Sequence, residues 1–321
     1  MTDTLTPPVD RWKPPLRSPG DQVKGYYDEP VLMSGPWRWL ITTYFFLGGI
    51  SGASYLLAAV ARRFGGSAGE RVARAGSMVS LLAALPSPLL LILDLGRRAR
   101  FHHMLRVFKP LSPMNTGAWA LTAHSAAAGL SAWHDLAAAG ALPQPLRAAG
   151  DLVPAGLVEA ASAPTALYFS GYTGTLLAAT AIPLWAKTPL LGPLFMASAA
   201  ATGTAAVDGA LALAGEEGPG LGVALAAAVA LEGATELVYE RRLGEVAGRP
   251  LKTGTAARWL KAHRAIGVAV PLALLASPWR RARGVRVLAA AAALAGGYCL
   301  RAAIVEGGHE SARDPEAALA G

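Results

Sequence analysis

Long stretches without a single Asp, Glu, Lys or Arg constrain this chain more than any other feature. Leu40 to Ala61 runs 22 residues, Ala75 to Leu93 runs 19, Leu111 to His134 runs 24, Ala160 to Ala186 runs 27 and Thr188 to Val207 runs 20. A helix needs about 20 predominantly apolar residues to cross the hydrocarbon core of a bilayer. Five spanning helices are therefore expected. The third starts after a loop-like Leu111-Ser112-Pro113. The fifth carries Pro189 and Pro193 in its first turn, where a missing N–H costs little.

Three further segments extend the pattern. Leu221 to Tyr239 is apolar but holds Glu232 and Glu236. Ala265 to Ser277 is short and needs Arg258, Lys261 and Arg264 to reach back to the interface. Val287 to Leu300 extends naturally to 284–302. The expected fold is all-α: a polytopic membrane domain over 39–303, with about eight transmembrane helices packed as two four-helix bundles. A Pro-rich tail over 1–38, with seven prolines and no apolar stretch of signal-peptide type, is expected to precede it. A C-terminal tail over 304–321 follows. Gly48, Gly49, Gly52 and Ala53 give the first helix a small-residue face, which lets helices approach closely in lipid.

Composition narrows the function classes. Hydrophobic residues make up 53%, charged residues 16%, and the mean hydropathy is +0.37. A disordered chain is excluded, and an ordinary soluble domain fits poorly. The net charge is +8, but a nucleic-acid binder spreads its basic residues over a polar surface, so no nucleic-acid partner is expected. The single cysteine, Cys299, rules out an intramolecular disulfide, a four-thiolate iron–sulfur cluster and a C-x-x-C-H haem attachment. Of six histidines, His102, His103, His134 and His309 fall in or near loops and His263 falls at a helix start. No haem or metal is expected in this chain.

The basic residues carry an orientation signal. Twenty of the 29 Lys and Arg fall on the side of the N-terminus and nine on the other. Basic residues favour the cytoplasmic side, so both termini are expected in the cytoplasm of a bacterial-type inner membrane. A basic face that docks an acidic partner would give the same count.

The most unusual stretch is the connection between the second and third helices. It reads Asp94-Leu95-Gly96-Arg97-Arg98-Ala99-Arg100-Phe101-His102-His103-Met104, then Lys109-Pro110-Leu111-Ser112-Pro113-Met114-Asn115-Thr116-Gly117-Ala118-Trp119. It resembles the D-L-G-R-P…R-F…S-P-M…G-x-W signature of the NrfD/PsrC family, the membrane subunits of polysulfide and nitrite reductase systems, with Arg98 in place of the usual proline. Tyr44-Phe45-Phe46-Leu47-Gly48-Gly49-Ile50-Ser51-Gly52-Ala53 is similar to that family's first-helix pattern. Tyr172-Thr173-Gly174-Thr175-Leu176-Leu177, with Pro183-Leu184-Trp185, is similar to its Y-T-G-x-L-L…P-x-W pattern. The three motifs occur in family order.

The resemblance implies a quinone-binding anchor (menaquinone or ubiquinone). It would exchange electrons between the membrane pool and a four-cluster iron–sulfur subunit, and through that a molybdopterin catalytic subunit. The terminal substrate belongs to the catalytic subunit. The implied quinone-site residues are Tyr44, Asp94, Arg97, His124 and Tyr172. A tyrosine can hydrogen-bond a quinone oxygen, and a carboxylate can take a proton. Tyr44, one turn inside the first helix, stands where related members carry a histidine; an interfacial-belt tyrosine is the alternative. Tyr172 lies within its span. Asp94 with Arg97 reads as a tuned proton acceptor or as a helix-end ion pair. His124, midway along the third helix, reads as a quinone contact or as a polar bridge. Asp208 and Glu232 are the proton-relay candidates. Glu236, one turn beyond Glu232, reads as a solvated helix end, and Arg301 and Glu306 as markers of the membrane boundary. Two other functions stand beside the anchor: a secondary transporter, and a structural anchor that binds no quinone.

Overall fold

The computed structural model describes Leu32, residues 37–150 and residues 154–319. Most of the expected N-terminal tail lies outside the described residues. Among those described the chain is helical, with no strand. It runs through α1 (Trp39–Phe64), α2 (Gly66–Ala84), α3 (Pro86–Asp94), a 3₁₀ segment (Arg98–Leu105), α4 (Pro113–Ala138), α5 (Gln144–Gly150), α6 (Ala155–Ala178) and α7 (Pro183–Ala186). It continues through α8 (Leu191–Leu213), α9 (Leu221–Lys252), α10 (Gly254–Ala262), a π segment (His263–Ala269), α11 (Val270–Ala276), α12 (Arg283–Arg313) and α13 (Pro315–Leu319). Six helical stretches are long and apolar enough to cross a membrane: 39–64, 66–94, 191–213, 221–252, 254–276 and 283–313. The helices α4, 26 residues, and α6, 24 residues, are as long. Large apolar side chains such as Leu89, Val223, Leu231 and Leu288 are exposed on the outer faces, as expected where the solvent is lipid. The protein is a multi-pass membrane protein.

The helix ends differ from the charge-free runs for local reasons. The run 160–186 is not one helix. It stops at Ala178, turns, and restarts at Pro183 as the four-residue α7. Thr180 closes that turn by donating to the Leu177 carbonyl at 2.7 Å, and no charge marks the break. Tyr172 therefore lies two turns from the end of α6. The fifth span begins at Leu191, so Pro193 sits in its first turn and Pro189 before it. The stretch 66–94 is interrupted at Pro86, which has no N–H to give. The sixth and eighth spans run far past the expected ends, to 32 and 31 residues. Both continue through charged residues at which an apolar count stops. Within α9 the backbone breaks at Gly244 (φ 74, ψ −169), a conformation open to glycine.

Helix α1 is the central element, with α2, α6, α8 and α12 against it. Its small face works as expected. A Cβ on Gly52 would lie 2.7 Å from the Ala166 carbonyl oxygen and 2.9 Å from the Ser170 nitrogen, so α1 and α6 touch backbone to backbone. In lipid such close packing is a main source of helix association.

Candidate functional site

Where α1 begins and α3 and α6 end, these helices and the start of α4 enclose a cavity of about 80 Å³. Tyr44, Asp94, Met104, Met114 and Tyr172 are among its walls. The hydroxyls of Tyr44 and Tyr172 are hydrogen-bonded to each other, and both rings are buried. Tyr44 lies one turn into α1. Tyr172 lies near the end of α6, and the two helices pack side by side. Gly117 of α4 makes the arrangement fit, since a Cβ there would lie 2.8 Å from Cζ of Tyr172 and 3.0 Å from its hydroxyl oxygen.

The motif Ser112-Pro113-Met114-Asn115 shapes the wall. The Ser112 side chain caps α4 by accepting from the Asn115 amide at 3.4 Å, and Pro113 occupies a first-turn position. Asn115 then pins the loop above. Its Nδ2 donates to the Met104 carbonyl at 2.8 Å, and its Oδ1 accepts from the Lys109 amide at 2.6 Å. The two methionines are thereby set against the cavity. The 3₁₀ segment of this loop has no buried residue, and Phe101, Val107, Phe108 and Leu111 are exposed beside its basic side chains.

Tyr44, Asp94 and Tyr172 are thus brought together. Arg97 is not among the lining residues; it is exposed, with no ion pair to Asp94 among the described residues. Met104 and Met114, which the sequence reading did not single out, complete the wall beside Asp94. His124 is one ring removed from the cavity. It stacks on Phe169 at 5.0 Å, which stacks on Tyr172 at 5.7 Å. Ser51 donates to the Ser80 carbonyl at 2.8 Å, so at the 2.8 Å contact with Ser51 the Nε2 of His124 acts as donor. Its Nδ1 is then an acceptor, and it is buried without a partner.

The remaining ionisable groups lie in the second half of the chain. Asp208 is buried in a two-point pair with Arg286, at 2.7 and 3.2 Å. Glu236 is no solvated end: it is buried, and Arg264 binds it at 2.7 Å while also pairing with Glu240. Glu232 is buried with Oε1 unpartnered. Arg301 does not mark the membrane boundary. It is fully buried, donating to the Phe45 carbonyl at 3.1 Å, the Ser198 hydroxyl at 2.6 Å and the Gly297 carbonyl at 3.0 Å. Ser198 is also a polar neighbour of Glu232, so it stands between the two charged groups. His263 is likewise buried, at the junction of α10 and the π segment within a continuous helical stretch rather than at a helix start, with Nδ1 3.0 Å from the Gly296 carbonyl. His309, expected near a loop, lies within α12 and meets the Trp37 carbonyl at 2.7 Å. Among the described residues no group of three His, Cys, Asp or Glu side chains is arranged to hold a metal ion.

A multi-pass helical protein with two paired phenols and a carboxylate around one small apolar cavity is the class these features define. Residues 30–238 match the family described as "Polysulphide reductase, NrfD", and the chain belongs to that family. The matched region takes in every wall of the cavity. It is a family of membrane subunits of quinone-linked oxidoreductases. No curated protein matches the chain.

Proposed function

We propose that this protein is the membrane anchor of a multi-subunit oxidoreductase, exchanging electrons between the quinone pool and a peripheral iron–sulfur subunit. The observation that carries the reading is the Tyr44–Tyr172 pair, with Asp94 in the wall of the same cavity. The donor set suits a quinone head group: two phenols can each donate to one ring oxygen, and a carboxylate can receive a proton. At about 80 Å³ the cavity is well below the roughly 300–1,000 Å³ of usual ligand pockets. Binding therefore requires the two phenols to part, each exchanging its partner for a ring oxygen. A bound quinol supplies two electrons and two protons. Tyr44 and Tyr172 orient the ring, the methionines exclude water, and Asp94 accepts the two protons in turn, passing the first on before it takes the second, while the two electrons leave to the iron–sulfur subunit. His124 stiffens the stack behind Tyr172. Arg97 sits above the site on the face that meets a partner.

The eight long helical stretches are proposed as eight spans in two four-helix groups, α1–α6 and α8–α12. Packing of α1 on α2 and α6 and of α8 on α9 and α12 supports the grouping, and α8 also packs on α1 and α6 to join the two groups. The exposed basic and aromatic loop over 97–111 is the proposed docking face for the iron–sulfur subunit, which would in turn carry a molybdopterin subunit. With the termini cytoplasmic, this face is cytoplasmic. Glu232, reached through Arg301 and Ser198, and Asp208 are the proposed route for proton release.

Tyr172→Phe in the purified full-length chain tests the reading. Binding of a quinol analogue, followed by fluorescence quenching, should weaken about tenfold, the effect of a lost buried hydrogen bond. Unchanged binding in Tyr172→Phe and Tyr44→Phe would remove the site. A C-terminal reporter active only outside the cell would reverse the orientation.

A further inference from the structure

A second cavity, of about 520 Å³, opens where α1 begins and α12 ends. Its walls include Trp37, Arg38, Trp259, Glu306, His309 and Arg313. Arg38 and Arg313 are exposed and Glu306 is half-buried. Neither arginine is paired with Glu306 among the described residues. Two cations and one anion thus share a cavity at the end of the spans without neutralising one another. Tryptophans at this depth are typical of the lipid–water interface, and a volume of about 520 Å³ falls in the range of ligand sites.

We propose that this cavity binds the headgroup of an ethanolamine phospholipid. The phosphodiester is the anion that two guanidinium groups recognise through directed hydrogen bonds. The primary ammonium carries the N–H donors that Glu306 can accept, and Trp37 and Trp259 line the same cavity. A choline headgroup has no N–H for Glu306, and a glycerol headgroup has no cation. Of these three headgroups, the ethanolamine zwitterion alone gives both the arginines and Glu306 a partner. Trp37 also lines the phenol cavity, and its carbonyl meets His309 at 2.7 Å. A headgroup here rests on the outer side of that shared wall.

The test uses the full-length chain in nanodiscs of phosphatidylcholine alone, or with added phosphatidylethanolamine or phosphatidylglycerol. Lipid retained after release into detergent is read by native mass spectrometry. The wild type should retain phosphatidylethanolamine about tenfold over either other lipid, the effect of one charge-assisted contact. Arg38→Gln with Arg313→Gln should abolish retention, and Glu306→Gln should erase the preference while leaving the phosphate contact. Soluble phosphoethanolamine should not displace the lipid. Melting curves establish that the variants are folded. Equal retention of the three lipids, retention unchanged in folded variants, or displacement by soluble phosphoethanolamine would overturn the proposal.

Discussion

Replacing Gly117 with alanine adds one methyl group at the point where α4 meets the Tyr172 ring. The new carbon would lie 2.8 Å from Tyr172 Cζ and 3.0 Å from its hydroxyl oxygen. Carbon contacts settle at about 3.5–4.0 Å, so the ring must retreat by roughly 1 Å. Overpacking of this kind costs about 1–3 kcal/mol. Alanine returns up to about 1 kcal/mol through its better helix propensity. The Tyr44–Tyr172 bond does not enter the sum, because binding parts the two phenols in either protein. The net effect on the geometry that receives the quinone is about 1–2 kcal/mol, or roughly five- to thirtyfold in affinity. Titration of the full-length chain with a quinol analogue, read by fluorescence quenching, measures it. Gly129→Ala is the control, on the same helix with nothing within 4 Å of the added carbon. Gly117→Ala that binds the analogue as tightly as Gly129→Ala and the wild type would refute the reasoning.

Other predictions concern the second half of the chain and the loop. Asp208→Asn or Arg286→Gln leaves one buried charge alone and should cost about 3–5 kcal/mol in unfolding measurements, while replacing both by leucine recovers most of it. Glu232→Gln should leave analogue affinity within about twofold yet slow quinol oxidation and the accompanying proton release by the assembled complex; unchanged rates would remove Glu232 from the route. Changing Arg97, Arg98 and Arg100 together to glutamine should weaken association with the iron–sulfur subunit and flatten its salt dependence. Equal salt dependence in the variant would place docking elsewhere.

The spans were legible because lipid forbids charge along a helix surface, and each charge-free run falls largely on helix. Their ends were not, where the deciding feature carries no charge. Thr180 turns the chain inside a run of 27 uncharged residues. The opposite error hid Arg301. A count that halts at charged residues ends the eighth span there, whereas α12 continues 12 residues further and buries the guanidinium against α1 and α8. A signal existed in the apolar and glycine residues on both sides of Arg301, among them Gly296, Gly297, Ala302 and Ile304. Tyr44, Asp94 and Tyr172 were readable through their motifs, and the structure places all three on one cavity. The place of Met104 and Met114 in its wall was not, because only folding sets the loop and the start of α4 against the ends of α3 and α6. Asp208 and Glu232 look alike as lone acids in apolar helices. One has an arginine across the helix interface and the other keeps a buried, unpartnered Oε1, a difference of tertiary neighbours alone.

The central claim is that the cavity between Tyr44, Asp94 and Tyr172 receives the quinone. Photolabelling of the full-length protein with a photoreactive quinone, followed by peptide mass spectrometry, addresses it directly. The account predicts label on peptides covering 37–45, 91–95, 104–118 and 172–176, with competition by unlabelled quinol and loss in Gly117→Ala. Competable label confined to α8–α12 would contradict it.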